Sequence, residues 1–435
     1  MTPKTFKIKS FGCQMNVYDG ERMAELLGSQ GMSAATEGED ADLVVLNTCH
    51  IREKAAEKAY SEVGRLKRED GSKPLIALAG CLAQAEGAEA KRRSPMIDIV
   101  VGPQAYHRLP LMVAEASQGA RPVDTDMPAI SKFDALPARR RAGPSAFLTI
   151  QEGCDKFCTY CVVPYTRGAE VSRPWNAIIA EADALVEAGA REIVLLGQNV
   201  NAWEHDGRGL ADLVRALAKI DGLERIRYTT SHPADMTDAL IAAHGEVDKL
   251  MPYLHLPVQS GSNRVLKAMN RSHTTETYLC TLEKMRAARS DIALSGDFIV
   301  GFPGETEEDF QATLSIVDEV GYASAYSFKY SARPGTPAAV MEDQISREVM
   351  DDRLQRLQAR INAHQLAFNR SKVGASTQIL IERTGKRAGQ MIGRSPWLQS
   401  VHVETGAQPG DVFDVTLVTA GPRSMTGAVR QKEAA

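Results

Sequence analysis

A chain of 435 residues with 43% hydrophobic and 24% charged residues has the composition of a globular protein and is too long for one ordinary domain, so two or three are expected. No apolar run reaches the roughly 20 residues that span a bilayer, and the start MTPKTFKIKSFG has no apolar secretory stretch. The expected compartment is therefore cytoplasmic, with no membrane partner, and there seven cysteines point to metal or catalytic roles rather than a disulfide framework. A net charge of -4 argues against a surface coated for nucleic acid, although residues 371–435 carry eight Lys and Arg against five Asp and Glu.

From residue 6 to about 119, the apolar runs FKIKSF, ADLVVLN, PLIALAG and IDIVVG alternate with helical stretches at 19–30 and 52–67. This pattern predicts an amino-terminal parallel α/β sheet domain over residues 1–120. Cys13, Cys49 and Cys81 are far apart in sequence, yet each directly follows one of these runs. Loops after parallel strands emerge at one edge of the sheet, so the three thiols are expected to converge and to hold an iron-sulfur cluster. The alternative is three small buried hydrophobes, which favours positions inside strands rather than just past them.

Residues 121–145, rich in Pro, Ala and Arg, read as a linker. The Arg run 139–141 within it is either a local positive patch or a solvated surface run. Over 146–370 the alternation resumes with six strand candidates, AFLTIQ, EIVLLG, RIRYTT, YLHLPV, LSGDFIV and AYSFKYS, which suits an open (β/α)6 barrel short of the full eight.

Directly after the first of these strands, Cys154, Cys158 and Cys161 form C-x3-C-x2-C. Three thiolates on one loop can bind three irons of a cubane and leave the fourth iron without a protein ligand. An open iron can chelate the amino and carboxylate groups of S-adenosylmethionine and reduce its sulfonium to give a 5′-deoxyadenosyl radical. Structural zinc is the plainer alternative, but it generally takes four ligands and paired C-x2-C knuckles. Four polar loops at strand ends, 197–200, 229–233, 256–261 and 301–306, suggest a lined pocket on the face where such barrels act. Cys280, in the helical stretch TTETYLCTLEKM, is expected to pack in the core. The tail, 371–435, reads as STQILIE, GQMIGRS, LQSVHVE, VFDVTLV and SMTGAV between Gly and Pro turns, predicting a small five-stranded OB-like barrel. Trp203 and Trp397 are candidate platforms for stacking bases, with a core role as the alternative for each.

Two open-iron cysteine sets followed by a barrel-like tail resemble the radical S-adenosylmethionine methylthiotransferase family over nearly the whole chain. LNTCHIREKA, GCDKFCTYCVVPYTRG, GQNVNAW, TTSHP and GRSPWLQSV are similar to the branch that acts on prenylated adenosine in tRNA. Asp155 departs from the asparagine expected in that pattern but is not a ligand. The resemblance implies an auxiliary-cluster domain, a radical core and a TRAM RNA-binding tail. It implies a sulfur-group transferase that converts N6-(dimethylallyl)adenosine at position 37, next to the anticodon, to its 2-methylthio form. Implied cofactors are two 4Fe-4S clusters and two molecules of S-adenosylmethionine per turnover. Implied partners are the tRNA anticodon stem-loop, an electron donor and a sulfur or cluster donor. Gly197, Gln198 and Asn199 fall where the superfamily holds the methionine amino group, and Tyr160 where an aromatic ring borders the adenine. Replacing an aromatic C–H bond that no side-chain base can ionise calls for radical chemistry, and the base must be unstacked to be reached. Competing readings are methylthiolation of a ribosomal-protein aspartate or of threonylcarbamoyl-adenosine. A non-catalytic iron-sulfur RNA-binding protein is a reading from another class.

Overall fold

Strand β3 (Leu43–Thr48) is buried along its entire length, as expected for a parallel strand covered on both faces. It lies in a six-stranded, wholly parallel sheet with β1 (Thr5–Phe11), β2 (Ser33–Ala34), β4 (Leu75–Ala79), β5 (Ile99–Val101) and β6 (Val123–Asp124), in the order β2-β1-β3-β4-β5-β6. Period-two alternation sends Leu43, Val45, Ala77 and Ile99 to one face, against Met23, Leu27, Leu109 and Met112. Val44, Leu46, Ile76 and Val100 go to the other face, against Ala59 and Val63. The computed structural model describes residues 3–36, 38–50, 53–67, 71–127, 132–139 and 142–430. The sheet belongs to one compact unit, made of Met1–Arg139, Glu152–Asp155 and Cys161–Glu170.

The second unit is made of Arg140–Gln151, Lys156–Tyr160 and Val171–Ala435. Six of its strands alternate with helices: β7 (Ser145–Thr149), β8 (Glu192–Leu196), β9 (Arg225–Tyr228), β10 (Tyr253–His255), β11 (Ala293–Val300) and β12 (Ser324–Lys329). They form two parallel three-stranded sheets, β9-β8-β7 and β10-β11-β12, with a parallel bridge from Ile226 to Leu250 on the path between them. The result is the open (β/α)6 arrangement, with one continuous core of Leu148, Ile193, Leu195, Ile226, Leu254, Phe298 and the helices packed outside. After the helix Arg347–Ser371, strands β13 (Ser376–Thr384), β14 (Gln390–Arg394), β15 (Ser400–Glu404), β16 (Val412–Ala420) and β17 (Ser424–Val429) close a barrel in the order β13-β14-β15-β17-β16. Ile379, Ile381, Val401, Val403, Val415 and Leu417 fill its interior.

Several local expectations change. The first helix runs Gln14–Ser29, not from residue 19, so Cys13 is its N-cap. The second runs Glu53–Arg65, and residues 51–52 lie outside the described ones. Cys280 is exposed rather than a core packer, because the helix Thr275–Ala288 buries Tyr278, Leu282 and Met285 on the opposite side. Trp203 is buried and donates its indole N–H to the Arg173 carbonyl at 3.0 Å, so it offers no platform. Trp397 donates to the Asp291 carbonyl at 2.9 Å beneath the Lys372 ammonium, 4.1 Å from its ring, and joins the tail barrel to the six-stranded core. Arg139 is buried against Glu21 and Glu25 rather than solvated, and Arg140 and Arg141 lie outside the described residues.

Candidate metal centres

In the first unit, the register pairs Phe11 with Thr48 and Asn47 with Ala79, so three strands end level. Cys13, Cys49 and Cys81 follow within two residues of those ends. The turn that brings Cys13 to Cys49 needs Gly12, which has φ +128° and no room for a Cβ, since one built there meets the Cys49 Cβ at 2.2 Å. Buried Asn16 and Asn47 tie the loops together, with Asn47 Nδ2 donating to the Asn16 carbonyl at 2.6 Å and Asn16 Nδ2 to Asn47 Oδ1 at 3.2 Å. A hydrogen bond from Cys49 holds the Cys13 thiol down to about 6 against the opposing effect of burial, and the Arg167 cation adds to it. Burial pushes the Cys81 thiol up.

Arg167 is the side chain that sequence reasoning missed. It ends the short helix Val163–Arg167 and is buried, with Nε 3.3 Å from Cys81 Sγ. Its terminal nitrogens donate to Asp19 Oδ2 at 2.6 Å and to Glu152 Oε1 at 2.8 Å. Lys132, from the stretch read as a linker, completes the group at 2.7 Å from Glu152 Oε1 and 3.6 Å from Asp19 Oδ1. Two buried cations thus face two buried carboxylates, the pairing that buried charge requires. An Arg six residues past the last Cys of C-x3-C-x2-C was visible in sequence, but its partners were not.

Three thiols at one sheet edge suit a sulfur-ligated cubane, in which each thiolate reaches a different iron. Among the described residues no three His, Cys, Asp or Glu side chains are grouped to hold a single metal ion. Cys154 and Cys161 are also in this unit, and Cys154 directly follows a tight point of the chain. Gly153 has φ +78°, and a Cβ there would lie 1.8 Å from the Ala169 carbonyl oxygen, while the Cys154 N–H donates to the Gly168 carbonyl at 3.2 Å.

In the second unit, Cys158 is buried with Arg271 Nη1 3.7 Å from its sulfur. Tyr160 packs against the cluster of Val265, Met269, Phe302, Tyr330 and Ala338. Gly197 lies flush against Gln151, whose Oε1 would be 2.6 Å from a Cβ and accepts the Asn199 N–H at 3.0 Å. Asn199 Nδ2 donates to Asp235 at 2.8 Å, and Gln198, between Gly197 and Asn199 in sequence, is half-buried. The Val200 N–H donates to the Thr230 carbonyl at 3.0 Å, joining the first two polar loops. His232, in the second loop, is pushed down to about 2 by burial and by Arg271, Lys156 and His273.

The strand registers reveal a lining that sequence reasoning did not single out. His255 pairs with Ser295, and Asp297 with Tyr326, so these alternate residues share one face of β10, β11 and β12. The opposite face carries Leu254, Leu294 and Phe298 into the helix-packed core. The first face is polar and aromatic, with Tyr326 53% and Phe328 38% exposed and His255 Nε2 3.6 Å from Asp297. Among the described residues no helix is long and apolar enough to cross a membrane.

Residues 5–102 match the family described as Uncharacterized protein family UPF0004, and residues 148–317 match the Radical SAM superfamily. The chain is 67% identical over 431 residues to the tRNA-2-methylthio-N(6)-dimethylallyladenosine synthase of Novosphingobium aromaticivorans, covering 98% of this chain and 97% of that one. It is 69% identical over 429 residues to the protein so named in Zymomonas mobilis subsp. mobilis, covering 98% and 96%. Among solved structures, its fold is similar to that of the radical S-adenosylmethionine methyltransferase TsrM from Kitasatospora setae, solved with cobalamin and a [4Fe-4S] cluster. The TM-score is 0.57 at 13% identity, over 78% of this chain and 77% of that one.

Proposed function

The chain belongs to the tRNA-2-methylthio-N(6)-dimethylallyladenosine synthase family, and from that premise we propose that it adds a methylthio group to carbon 2 of N6-(dimethylallyl)adenosine at position 37 of tRNA. The observation that carries this reading is the meeting of Cys13, Cys49 and Cys81 at one sheet edge, in a chain that also holds C-x3-C-x2-C. Cys154, Cys158 and Cys161 are the ligands of one 4Fe-4S cluster, and Cys13, Cys49 and Cys81 those of the other. With both bound, the chemistry supplied is reductive cleavage of S-adenosylmethionine and delivery of a methylthio group, two molecules of S-adenosylmethionine being used per turnover.

The chain's own residues do the positioning. Gly197 lets the strand end pack closely on Gln151 and Val200, which sets the backbone of 197–199 to meet the methionine end of S-adenosylmethionine, and Tyr160 borders the adenine side. His232 stays uncharged at working pH, because burial and the neighbouring cations of Arg271 and Lys156 disfavour its imidazolium. The face of His255, Asp297, Tyr326 and Phe328 receives the target base, the rings by stacking and the carboxylate by accepting the remaining N6–H. In this reading residues 1–120 hold the auxiliary centre, 121–145 link, 146–370 form the radical core and 371–435 grip RNA.

Two triple variants test the division of labour. With Cys13, Cys49 and Cys81 all replaced by Ala, the reduced protein is expected to release 5′-deoxyadenosine but to leave tRNA without methylthio-adenosine. With Cys154, Cys158 and Cys161 replaced, cleavage should stop. A first variant that still methylthiolates tRNA at the normal rate refutes the reading.

A further inference from the structure

The Arg167 side chain has only 2% exposure, and its burial is explained by Asp19 and Glu152. Those carboxylates take its two terminal nitrogens, at 2.6 and 2.8 Å. Together with Lys132 they form a closed, charge-balanced group, and this accounts for the cation but not for its third face. That face points Nε at Cys81 Sγ, 3.3 Å away. A buried donor must be satisfied, and here the acceptor is a thiol of the auxiliary set rather than a backbone carbonyl. A fork held at both tips by carboxylates cannot swing, so the direction of the third N–H is fixed by the fold.

We propose that Arg167 is a positioning residue for the auxiliary centre: it orients the Cys81 thiolate and, by donating an N–H to that sulfur, raises the reduction potential of the cluster bound there. A hydrogen bond to a ligating sulfur draws charge from it and favours the reduced, more negative state. The placement adds a link between the two centres. Arg167 ends the helix Val163–Arg167, which begins two residues after Cys161. One stretch of chain, 154–167, therefore carries the cysteines of one centre and the sulfur-facing donor of the other. This inference rests on Cys13, Cys49 and Cys81 being cluster ligands.

The test uses the full chain with Cys154, Cys158 and Cys161 replaced by Ala, so that only the auxiliary centre loads, at about four irons per chain. If that protein binds no iron, the ligand assignment fails and not the role of Arg167. If it loads, its midpoint potential is read by EPR-monitored redox titration, with and without Arg167→Met and Arg167→Lys. The expected result is a shift to more negative potential in Arg167→Met and a smaller shift in the same direction in Arg167→Lys, which keeps the charge but loses the fork. An unchanged midpoint in fully loaded Arg167→Met overturns the proposal. Should that variant fail to load, the protein with Arg167 intact is grown with 15N-labelled arginine and its reduced centre examined by pulsed EPR. A 15N coupling that Arg167→Lys loses supports the hydrogen bond, and no coupling in the protein with Arg167 overturns it.

Discussion

Burial holds His244 uncharged, with Arg289 adding to the effect, and takes its pKa down to about 3, while its Nε2 lies 2.6 Å from the Tyr228 hydroxyl. The unfolded chain binds a proton near pH 6.5 and the folded one does not. Stability from this site is therefore complete above about pH 6.5 and drains away as pH falls toward the folded value. The loss approaches about 1.4 kcal/mol per pH unit for one such histidine. Urea midpoints of the metal-free chain at pH 7.5, 6 and 5 should fall more gently in His244→Gln, and identical slopes refute the assignment. A different single residue tests the substrate face. Stacking of one base is worth about 1–3 kcal/mol, so Tyr326→Ala should weaken tRNA use by roughly 5- to 150-fold while S-adenosylmethionine cleavage without tRNA is unchanged. Unaltered tRNA kinetics place the base elsewhere.

At the scale of strands and loops, what was legible followed from continuous signals. Most long strands announced themselves as apolar runs, and the position of a cysteine just past three such runs gave the convergence of those cysteines at one sheet edge before any contact was seen. The edge strands Ser33–Ala34 and Val123–Asp124 escaped because two residues carry no periodicity. RIRY was read correctly as a strand, and β9 buries both of its arginines. Arg225 donates to the Arg394 and Gln378 carbonyls at 2.8 and 2.9 Å, and Arg227 to those of Pro396 and Ser395 at 2.8 and 2.9 Å, docking the tail barrel on the core. Glu192 is pushed up by burial but held below the usual carboxylate range by Arg227, whose Nε is 2.8 Å away. Arg227→Ala strands that carboxylate, a loss of about 3–5 kcal/mol, and should raise proteolysis near residues 371–375. Cleavage unchanged there denies the clamp. Gly12→Ala tests a loop in the same way. Its Cβ cannot coexist with Cys49, so iron after reconstitution should drop from about eight to about four per chain, and a full complement refutes the convergence.

For the molecule as a whole, the sequence's overall negative charge concealed a local reversal that the fold makes usable. In a five-stranded barrel of this order, the loops after the first and fourth strands border the nucleic-acid face. Here they carry exposed Lys386, Arg387 and Arg423. Replacing all three with Ala should weaken tRNA binding and flatten its dependence on salt by up to about three units of slope, roughly one per lost phosphate contact. S-adenosylmethionine cleavage should continue, since none of the cysteines lies in this module. An unchanged salt slope removes these loops from the RNA interface.

The level ends of β1, β3 and β4 also dictate an order of events in time. Cys154, Cys158 and Cys161 occupy eight consecutive residues, so an unfolded or half-synthesised chain can already bring them together by closing a tiny loop. Cys13, Cys49 and Cys81 are separated by 36 and 32 residues and meet only once two parallel crossovers have formed, which is a slow, high-contact-order step. In a chain refolding from the unfolded state, one thiol trio can therefore meet before the other exists as a site, and whatever Cys13, Cys49 and Cys81 bind must wait for the parallel sheet to form.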